Sequence, residues 1–591
     1  MFYRSLTNEQ TLRVRRARPV IALAAVAFAI GAIVGANGGG SSSDSLAQKF
    51  VGEWARSDYA AMYGQIDAAS RRSLSAEDFA STYHEAMNTA TATGLRLVGK
   101  ARTTRGGLVT VPVKVSTRLF GTLSLDVHVR IMSDAEGAEQ IDWSRSLSFP
   151  GTLPGETLSR QTTLPPRAKL LARDGTVLAE GSPEQAGPRD SPLGGSAGAV
   201  IGEVGSIPSS ERTSLESQGV PADALVGISG LERALDAQLR GTPGGELLAG
   251  HRVLATATPH AAHAVRTSVS PAVQSAAVSA LGSQLGGVVA LQPATGQILA
   301  VSGIALDSVQ PPGSTFKMVT VTGALAAHIA TPHTTFPYST SATLDGVKLS
   351  NANGEECGGS LELAFAVSCN SVFAPLGVKL GAPRLVAMAE RFGFNHSTGL
   401  EGAAESTLPA ASSIQGELDV GSTAIGQGQV QASALQMALV AATIADGGRR
   451  PQPTFALASP QPGTPVTSVA VAHTVRRMMI DVVRNGTGTS AAIPGVTVAG
   501  KTGTAELKSE CSSSGEAGSE AGESGSEESS SSGCVGADSE ASNTDAWFAS
   551  FAPALRPRIV VGVLLVKDGA GGDTAAPVAR EVLEAALKAS H

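Results

Sequence analysis

The sequence predicts a multidomain α+β protein. We expect a single N-terminal transmembrane helix, a small α+β domain, a β-rich pedestal domain and a C-terminal domain whose antiparallel sheet is sandwiched by helices. Three observations support this class. The 591 residues suffice for about three or four domains. Hydrophobic residues make up 42% of the chain, and the pattern of apolar residues changes near positions 150 and 267.

The N-terminus contains a candidate membrane anchor. Residues 19–36 read PVIALAAVAFAIGAIVGA, an uncharged apolar run just long enough to cross a bilayer core of about 30 Å. Four arginines precede it: Arg13, Arg15, Arg16 and Arg18. Residues 1–18 are therefore expected to be a cytoplasmic tail, with the remaining chain outside the cell membrane in the extracellular or periplasmic space. The alternative is a signal peptide cleaved after Val34-Gly35-Ala36.

The expected export of the chain determines how the four cysteines are interpreted. Outside the membrane an even number permits disulfides, and neighbours in the sequence are favoured as partners, Cys357 with Cys369 and Cys511 with Cys534. The second pair would close an acidic insert, 511–534, whose Ser, Gly and Glu cannot form a core, so we expect it to be disordered. A bridge there would stabilise the fold by about 3 kcal/mol. The alternatives are free thiols or a metal site, and we predict no metal because no histidine lies nearby.

Two domains without chemical motifs follow the anchor. Residues 45–149 combine a helical spacing of apolar residues with alternating strands from Leu108 and Leu123, which predicts the small α+β domain. Residues 150–266 are rich in Gly and Pro, with a hairpin turning at Asp174-Gly175 and a helix after Gly227. The net charge of −7 gives no reason to expect a nucleic-acid partner.

Residues 267–591 have the pattern of the sandwiched sheet. A hairpin is expected at 286–303, strands from Asp545 and Arg558, and a last helix from Ala575. Helices are also predicted from Val273, from Ser314 to about Ile329, and from Ala432 to Ala445.

The first chemical motif is PPGSTFK, residues 311–317. A Pro-Gly turn leads into a helix, so Ser314 would lie at the helix start and Lys317 one turn later on the same face. A serine hydroxyl is a weak nucleophile that needs a base within hydrogen-bond reach. A lysine among apolar residues has a lowered pKa and can accept that proton. The alternative for an isolated S-x-x-K is a capping serine followed by a surface lysine.

Two further motifs follow in the chain. Ser368-Cys369-Asn370 can present a serine and an asparagine to one cleft, although S-x-N alone is more often an ordinary turn. Lys501-Thr502-Gly503-Thr504 follows the apolar run VTVA, which predicts an edge strand where Gly503 lets a substrate backbone approach. Lys501 and the threonine hydroxyls suit a carboxylate. The alternative is a strand end with a lysine in solvent.

In this order, the three motifs resemble those of penicillin-binding proteins and serine β-lactamases. The runs IGQGQVQASALQMA from Ile425 and NGTGTSAAIPGVTVAGKTGTAE from Asn485 are also similar. The sequence therefore resembles a class B penicillin-binding protein over nearly its whole length. By this resemblance, 45–149 is a cystatin/NTF2-like N-terminal extension domain of the low-affinity type, 150–266 the pedestal or dimerisation domain, and 267–591 a serine transpeptidase/β-lactamase-like domain.

The resemblance implies a peptidoglycan D,D-transpeptidase. Ser314 would attack the penultimate D-Ala carbonyl of a stem peptide and release D-Ala, and an amine of a second stem would then attack the acyl-enzyme. Lys317 would be the base, Ser368 and Lys501 would handle protons, and Asn370 would position the donor peptide. Thr502 and Thr504 would bind its carboxylate beside Gly503. The N–H groups of Ser314 and Thr504 would form the oxyanion hole.

The same resemblance implies β-lactams as covalent inhibitors, no cofactor, and a glycosyltransferase and other division or elongation proteins as partners. Three alternatives share some of the motifs. A D-Ala-D-Ala carboxypeptidase would use water as acceptor. A β-lactamase or β-lactam sensor is disfavoured by Asn370 and by the extra N-terminal domains. A catalytically inactive division scaffold is disfavoured by the intact motifs.

Overall fold

The structure, a computed structural model, describes residues 41–104, 108–457, 461–506 and 543–589. The predicted cytoplasmic tail, the anchor at 19–36, and the acidic insert with Cys511 and Cys534 lie outside the described residues. Within the described ranges no single helix is long and apolar enough to cross a membrane. One bent pair, Asn370–Leu380 with Ala382–Phe392, meets the criteria of length and composition only when its two helices are taken together.

The α-helices of the described residues are short to medium in length. In chain order they are α1 Ser42–Trp54, α2 Tyr59–Tyr63, α3 Ala68–Ser73, α4 Ala76–Thr89, α5 Gly195–Ile201, α6 Arg212–Glu216, α7 Gly230–Ala234, α8 Asp236–Leu239, α9 Pro271–Leu281, α10 Lys317–Ala326, α11 Leu361–Ala366, α12 Asn370–Leu380, α13 Ala382–Phe392, α14 Gly416–Ala424, α15 Ala434–Ala445, α16 Val469–Asn485 and α17 Ala575–Ala589.

The strands form several separate sheets. In chain order they are β1 Ala92–Leu97, β2 Arg102–Thr103, β3 Leu108–Thr117, β4 Thr122–Ser133, β5 Glu139–Asp142, β6 Leu158–Thr163, β7 Leu170–Leu171, β8 Val177–Ala179, β9 Val204–Ser206, β10 Leu225–Gly227, β11 Gly244–Ala249, β12 Arg252–Ala257, β13 Val265–Arg266, β14 Gly286–Leu291, β15 Ile298–Gly303, β16 Thr335–Ser339, β17 Ser341–Leu344, β18 Val347–Ser350, β19 Cys357–Ser360, β20 Arg449–Arg450, β21 Thr464–Pro465, β22 Ala499–Glu506, β23 Thr544–Ala552 and β24 Ile559–Leu565.

The chain divides into two compact units. Of the described residues, the first comprises those up to Thr163 together with the stretches Ser210–Ala222 and Pro243–Pro259. The second comprises Leu164–Ser209, Asp223–Thr242 and the described residues from His260 onwards. The region predicted as one pedestal domain, 150–266, therefore contributes to both units, and its boundaries stay a prediction.

The first unit contains the predicted small α+β domain. An antiparallel sheet in the order β1-β3-β4-β5, with β2 on β3, has alternating burial along β3. That alternation follows the period of two in its sequence, because successive side chains of a strand point to opposite faces. Helix α1 begins with a capping box between Ser41 and Asp44, and its last residue, Trp54, packs edge-on against Tyr83 at 4.9 Å. A second sheet, β12-β11-β6, completes this unit.

The second unit is built on a five-stranded antiparallel sheet in the order β15-β14-β24-β23-β22. Strand β14 is buried throughout, and its residues alternate between two hydrophobic cores. Val288 and Ala290 belong to the core that includes α9 and α17, whereas Val289 and Leu291 belong to the core that includes α10 and α15. Helices therefore cover both faces of the sheet, which confirms the predicted sandwich.

In the pedestal part of the second unit, one local prediction is confirmed and another is wrong. The predicted hairpin forms from β7 and β8, with Gly175 at φ +93° in its turn. The single helix predicted after Gly227 is instead broken at Leu235 into α7 and α8. The Asp236 carboxylate accepts hydrogen bonds from the Gly227 N–H and from Arg167, and this fixes it at the start of the second helix. Because Arg167 lies far from Asp236 in the sequence, the local sequence pattern could not indicate this contact.

Candidate active site

Ser314 lies in a tight turn that packs directly on strand β22. Residues Gly313–Phe316 form a 3-10 turn and the α-helix begins at Lys317, so the helix predicted from Ser314 to about Ile329 is shorter than expected. Gly313 has φ +50°, and a Cβ there would lie 2.6 Å from the Thr504 carbonyl oxygen. Its N–H donates to the Gly426 carbonyl at 2.9 Å. Glycine is therefore required where the turn meets the strand.

Lys317 lies fully buried one turn after Ser314. Its Nζ donates to the Ser368 carbonyl at 2.6 Å, to Asn370 Oδ1 at 2.7 Å and to Ser368 Oγ at 3.3 Å. Burial, followed by the nearby charge of Lys501, holds the pKa of Lys317 well below its ordinary value. The first two predicted motifs thus meet at this amine.

These acceptors determine what a neutral Lys317 can do. A neutral amine has two N–H bonds and one lone pair, and the two shortest contacts are to oxygens that can only accept. The Asn370 amide is oriented for this because its Nδ2 donates to the Ser350 carbonyl at 2.9 Å, which turns Oδ1 toward Lys317. With both N–H bonds taken, the lone pair is left for a hydroxyl proton. This is the arrangement of a general base.

Lys501, from the third motif, is the second buried amine of the site. It donates to Ser368 Oγ at 2.9 Å and to the Thr502 carbonyl at 3.0 Å. Burial lowers the pKa of Lys501 to about 7. The Ser368 hydroxyl therefore contacts both amines and can pass a proton between them.

Strand β22 is an edge strand of the sheet, as the third motif predicts, and only β23 pairs with it among the described strands. Gly503 fits this edge for a reason that the sequence did not indicate. A Cβ at this position would lie 2.8 Å from the Pro312 carbonyl oxygen and 3.0 Å from Trp547 Cβ. The absent side chain therefore makes room for the turn that carries Ser314. The approach of a substrate backbone at Gly503 stays a prediction.

The two predicted carboxylate-binding threonines each have a partner. Thr502 Oγ1 lies 2.5 Å from Thr487 Oγ1, and Thr504 Oγ1 accepts a 3.4 Å hydrogen bond from the Gly571 N–H. Thr487 is exposed and was missed as a site residue. Thr487 lies in the run NGTGTS, and the similarity of this run to the family is the feature of the sequence that could have indicated it.

Two phenylalanines, also missed, form the apolar wall behind the lysines. Lys317 Nζ lies 5.5 Å from the centre of the Phe373 ring, and Lys501 Nζ lies 5.6 Å from the centre of the Phe365 ring. The two rings contact each other at 5.8 Å. They are among the apolar groups near the two amines, whose burial lowers both pKa values, while their faces give a modest attraction for the charged forms. Their aromatic character alone gave no signal.

A disulfide holds the second motif. Cys357 of β19 is bonded to Cys369, which confirms the predicted pairing of these two cysteines. It ties the residue between Ser368 and Asn370 to a neighbouring strand. Ser368 itself has φ +64°, an uncommon conformation for serine that is typical of functional positions. In the parts of the chain that the structure describes, no group of three or more His, Cys, Asp or Glu side chains could hold a metal.

A serine on a turn, a buried lysine of lowered pKa three residues later, and a second hydroxyl in contact with both buried lysines are typical of a serine enzyme of the acyl-transfer type. Residues 286–584 match the family described as "Penicillin binding protein transpeptidase domain". The chain belongs to this family of penicillin-binding transpeptidases. Residues 42–156 match the "NTF2-like N-terminal transpeptidase domain", and residues 183–251 match the "Penicillin-binding Protein dimerisation domain".

Relatives and solved structures agree with this assignment. The chain is 32% identical over 434 residues to the peptidoglycan D,D-transpeptidase PbpA of Mycolicibacterium smegmatis, covering 61% of this chain and 80% of the relative. It is 32% identical to PbpA of Mycobacterium tuberculosis, covering 55% and 72%. The crystal structure of a D,D-transpeptidase domain from Eggerthella lenta aligns with a TM-score of 0.55 at 28% identity, covering 72% and 99%. A ceftriaxone acyl-enzyme complex of M. tuberculosis penicillin-binding protein A aligns with 0.53 at 27% identity, covering 71% and 98%.

Proposed function

We propose that the chain is a peptidoglycan D,D-transpeptidase that cross-links stem peptides through an acyl-enzyme on Ser314. The observation that carries this proposal is the Ser368 hydroxyl in contact with both buried lysines, beside a nucleophile turn that packs on an edge strand. The names of the relatives supply the substrate class. The same attack on a β-lactam carbonyl would leave the drug bound to Ser314.

In the first half-reaction, the lone pair of Lys317 takes the proton of the Ser314 hydroxyl while its oxygen attacks the penultimate D-Ala carbonyl. The tetrahedral oxyanion is bound by the N–H groups of Ser314 and Thr504. The proton then passes from Lys317 through Ser368 to the amine of the departing D-Ala. The C–N bond breaks, and an ester on Ser314 remains.

In the second half-reaction, an amine of another stem peptide attacks the ester. The same groups act in reverse, because the proton removed from the attacking amine must return to the Ser314 oxygen as the ester breaks. The edge of β22 is suited to hold the donor backbone as an added strand, a common mode of peptide recognition. Thr502 and Thr504 bind the terminal carboxylate, and the Asn370 amide contacts the donor peptide.

We also place the catalytic domain outside the cell membrane, anchored by residues 19–36. The supporting observations are the apolar run with its preceding arginines and the Cys357–Cys369 disulfide, since disulfides persist in oxidising compartments. A glycosyltransferase and other division or elongation proteins remain proposed partners. No cofactor enters the proposed reaction.

Labelling with a fluorescent penicillin, followed by peptide mapping, tests the proposal. We expect a covalent adduct on the peptide that contains Ser314 and no adduct in Ser314→Ala. An adduct that persists for hours argues against a β-lactamase. Release of D-Ala from a model stem peptide, measured with and without an added acceptor amine, separates the transpeptidase from a carboxypeptidase. A folded wild-type protein that takes up no label at Ser314 would show the proposal to be wrong.

A further inference from the structure

Asn351 lies outside the three motifs and contacts Ser371, the residue that directly follows the second motif. It directly follows β18 and is only 5% exposed. Its Nδ2 donates to the carbonyls of Ser339 and Glu355, both at 2.8 Å, and its Oδ1 accepts from the Ser371 N–H at 2.8 Å. Its own N–H donates to the Thr340 carbonyl at 2.9 Å.

The chemistry of these partners allows one orientation of the amide. Carbonyl oxygens only accept and an N–H only donates, so exchanging Oδ1 and Nδ2 would break all three side-chain contacts at once. A buried amide with this set of partners is expensive to disturb, because each lost partner leaves a polar group unsatisfied away from water.

The contacts of Asn351 join two segments that are distant in the chain. Ser339 ends β16, and Ser350 ends β18, which pairs with β17. Asn370 and Ser371 begin helix α12. Ser350 supplies the carbonyl that orients the Asn370 amide, and Asn351 supplies the oxygen that holds the next residue, Ser371. Two consecutive residues therefore align Asn370, the last residue of the second motif, and Ser371, which follows it.

We propose that Asn351 is a positioning residue of the reaction, which acts through Ser350 and Asn370 on Lys317. This inference rests on the proposed function. Without Asn351, the end of β18 is no longer held against Ser371, and the Ser350 carbonyl loses its place opposite Asn370 Nδ2. The Asn370 amide can then rotate and present its Nδ2 to Lys317. A lysine facing a donor must turn its lone pair to that donor and cannot direct it to Ser314.

The inference predicts a slow chemical step with little effect on non-covalent binding. For Asn351→Ala in the full chain, we expect the first-order acylation rate constant with benzylpenicillin to fall at least about tenfold, while the dissociation constant of the non-covalent complex stays within about threefold. Stopped-flow acylation at several penicillin concentrations separates the two quantities. A role in stability alone would lower the melting temperature and leave the rate constant of the folded protein unchanged.

Two further variants complete the experiment. Asn351→Asp keeps the acceptor for the Ser371 N–H but sets a carboxylate oxygen against the carbonyls of Ser339 and Glu355, so its acylation rate constant should fall at least as far as that of Asn351→Ala. Asn353→Ala is the matched control, because Asn353 is exposed two residues away and has φ +55°, where alanine also costs stability. Its acylation rate constant should equal that of the wild type.

The outcomes are distinct. If wild-type protein is acylated at Ser314 and both Asn351 variants acylate within threefold of its rate constant, the positioning role is wrong and the proposed function stands. If folded wild-type protein is not acylated, both are wrong.

Discussion

Lys501 Nζ donates a 2.9 Å hydrogen bond to the hydroxyl of Ser368. The same hydroxyl lies 3.3 Å from Lys317 Nζ, so two buried amines share one oxygen. Two charged amines this close in an apolar site repel each other, which favours one charged and one neutral lysine. The two lysines can therefore differ in protonation state although they are the same residue type.

The first prediction concerns the base. Lys317→Met keeps the apolar stem and removes the amine, so the rate constant for acylation by penicillin should fall by about 1,000-fold or more. The measurement is acylation kinetics on folded protein. Lys379→Met, at an exposed lysine near the end of α12, is the control and should acylate normally. A loss below tenfold in Lys317→Met would exclude Lys317 as the base.

The second prediction concerns the stability cost of Lys501. Its pKa is lowered from 10.5 to about 7 by burial. Below about pH 7 the amine is charged in both folded and unfolded chains, so the cost of burying the charge is complete. Between pH 7 and 10.5 the folded protein holds it neutral while the unfolded chain still binds the proton, so the cost shrinks as pH rises.

Lys501→Met should therefore raise the free energy of unfolding by about 3 kcal/mol at pH 6, with the gain fading toward pH 10. Denaturant unfolding at several pH values measures this, and the variant should not acylate. Lys588→Met, at an exposed lysine of α17, should show no such pH dependence. A gain that grows with pH would contradict the assigned direction of the shift.

The third prediction concerns Thr487, which sequence reasoning missed. Its hydroxyl lies 2.5 Å from that of Thr502, so Thr487→Val removes this hydrogen bond and leaves the longer, 3.5 Å contact of Thr502 Oγ1 with Lys501 Nζ. We expect the acylation efficiency with benzylpenicillin to fall about tenfold, which corresponds to the usual free-energy contribution of one hydrogen bond in a charged site. Thr487→Ser should restore most of it. The methyl ester of penicillin, which lacks the carboxylate, should be little affected, and an equal loss for both compounds would refute a role in carboxylate binding.

The fourth prediction tests the contact between the nucleophile turn and the strand. Gly313→Ala would place a Cβ 2.6 Å from the Thr504 carbonyl oxygen in a backbone conformation that alanine avoids. Stability should fall by about 2–3 kcal/mol and acylation should be slow, because the turn must move away from β22. Gly346→Ala has φ +81° with no atom within 4 Å of the added Cβ. It should lose only the conformational part, about 1 kcal/mol, and acylate normally.

Much of the site could be predicted because its chemistry is carried by short motifs. Ser314 and Lys317 are three residues apart in one short motif, and the apolar runs of β14, β23 and β24 predict a buried sheet. The proton-handling roles of Ser368 and Lys501 were inferred from the family resemblance, whereas the contact of the Ser368 hydroxyl with both lysines is known from the structure.

The remaining features depend on long-range contacts. Phe365 and Phe373 lie beside the lysines because of the fold, and nothing in their neighbourhoods in the sequence distinguishes them from core residues. Thr487 lies in the run NGTGTS, which resembles the family, but its contact with Thr502 also depends on the fold. The contact of Arg167 with Asp236, next to the break at Leu235, is likewise a long-range one. The sequence alone indicates an ordinary turn residue at Asn351, because its three side-chain partners are brought together by the fold.

The interleaving of the two compact units limits how this protein can be shortened for expression. A truncation that starts at Leu164 would delete β6 but keep β11, its partner in the three-stranded sheet. The hairpin of β11 and β12 would then expose a row of unpaired backbone N–H and C=O groups along β11, and such an edge promotes aggregation. Fragments for crystallisation or inhibitor screening should begin ahead of Ser42, even when only the region around Ser314 is of interest.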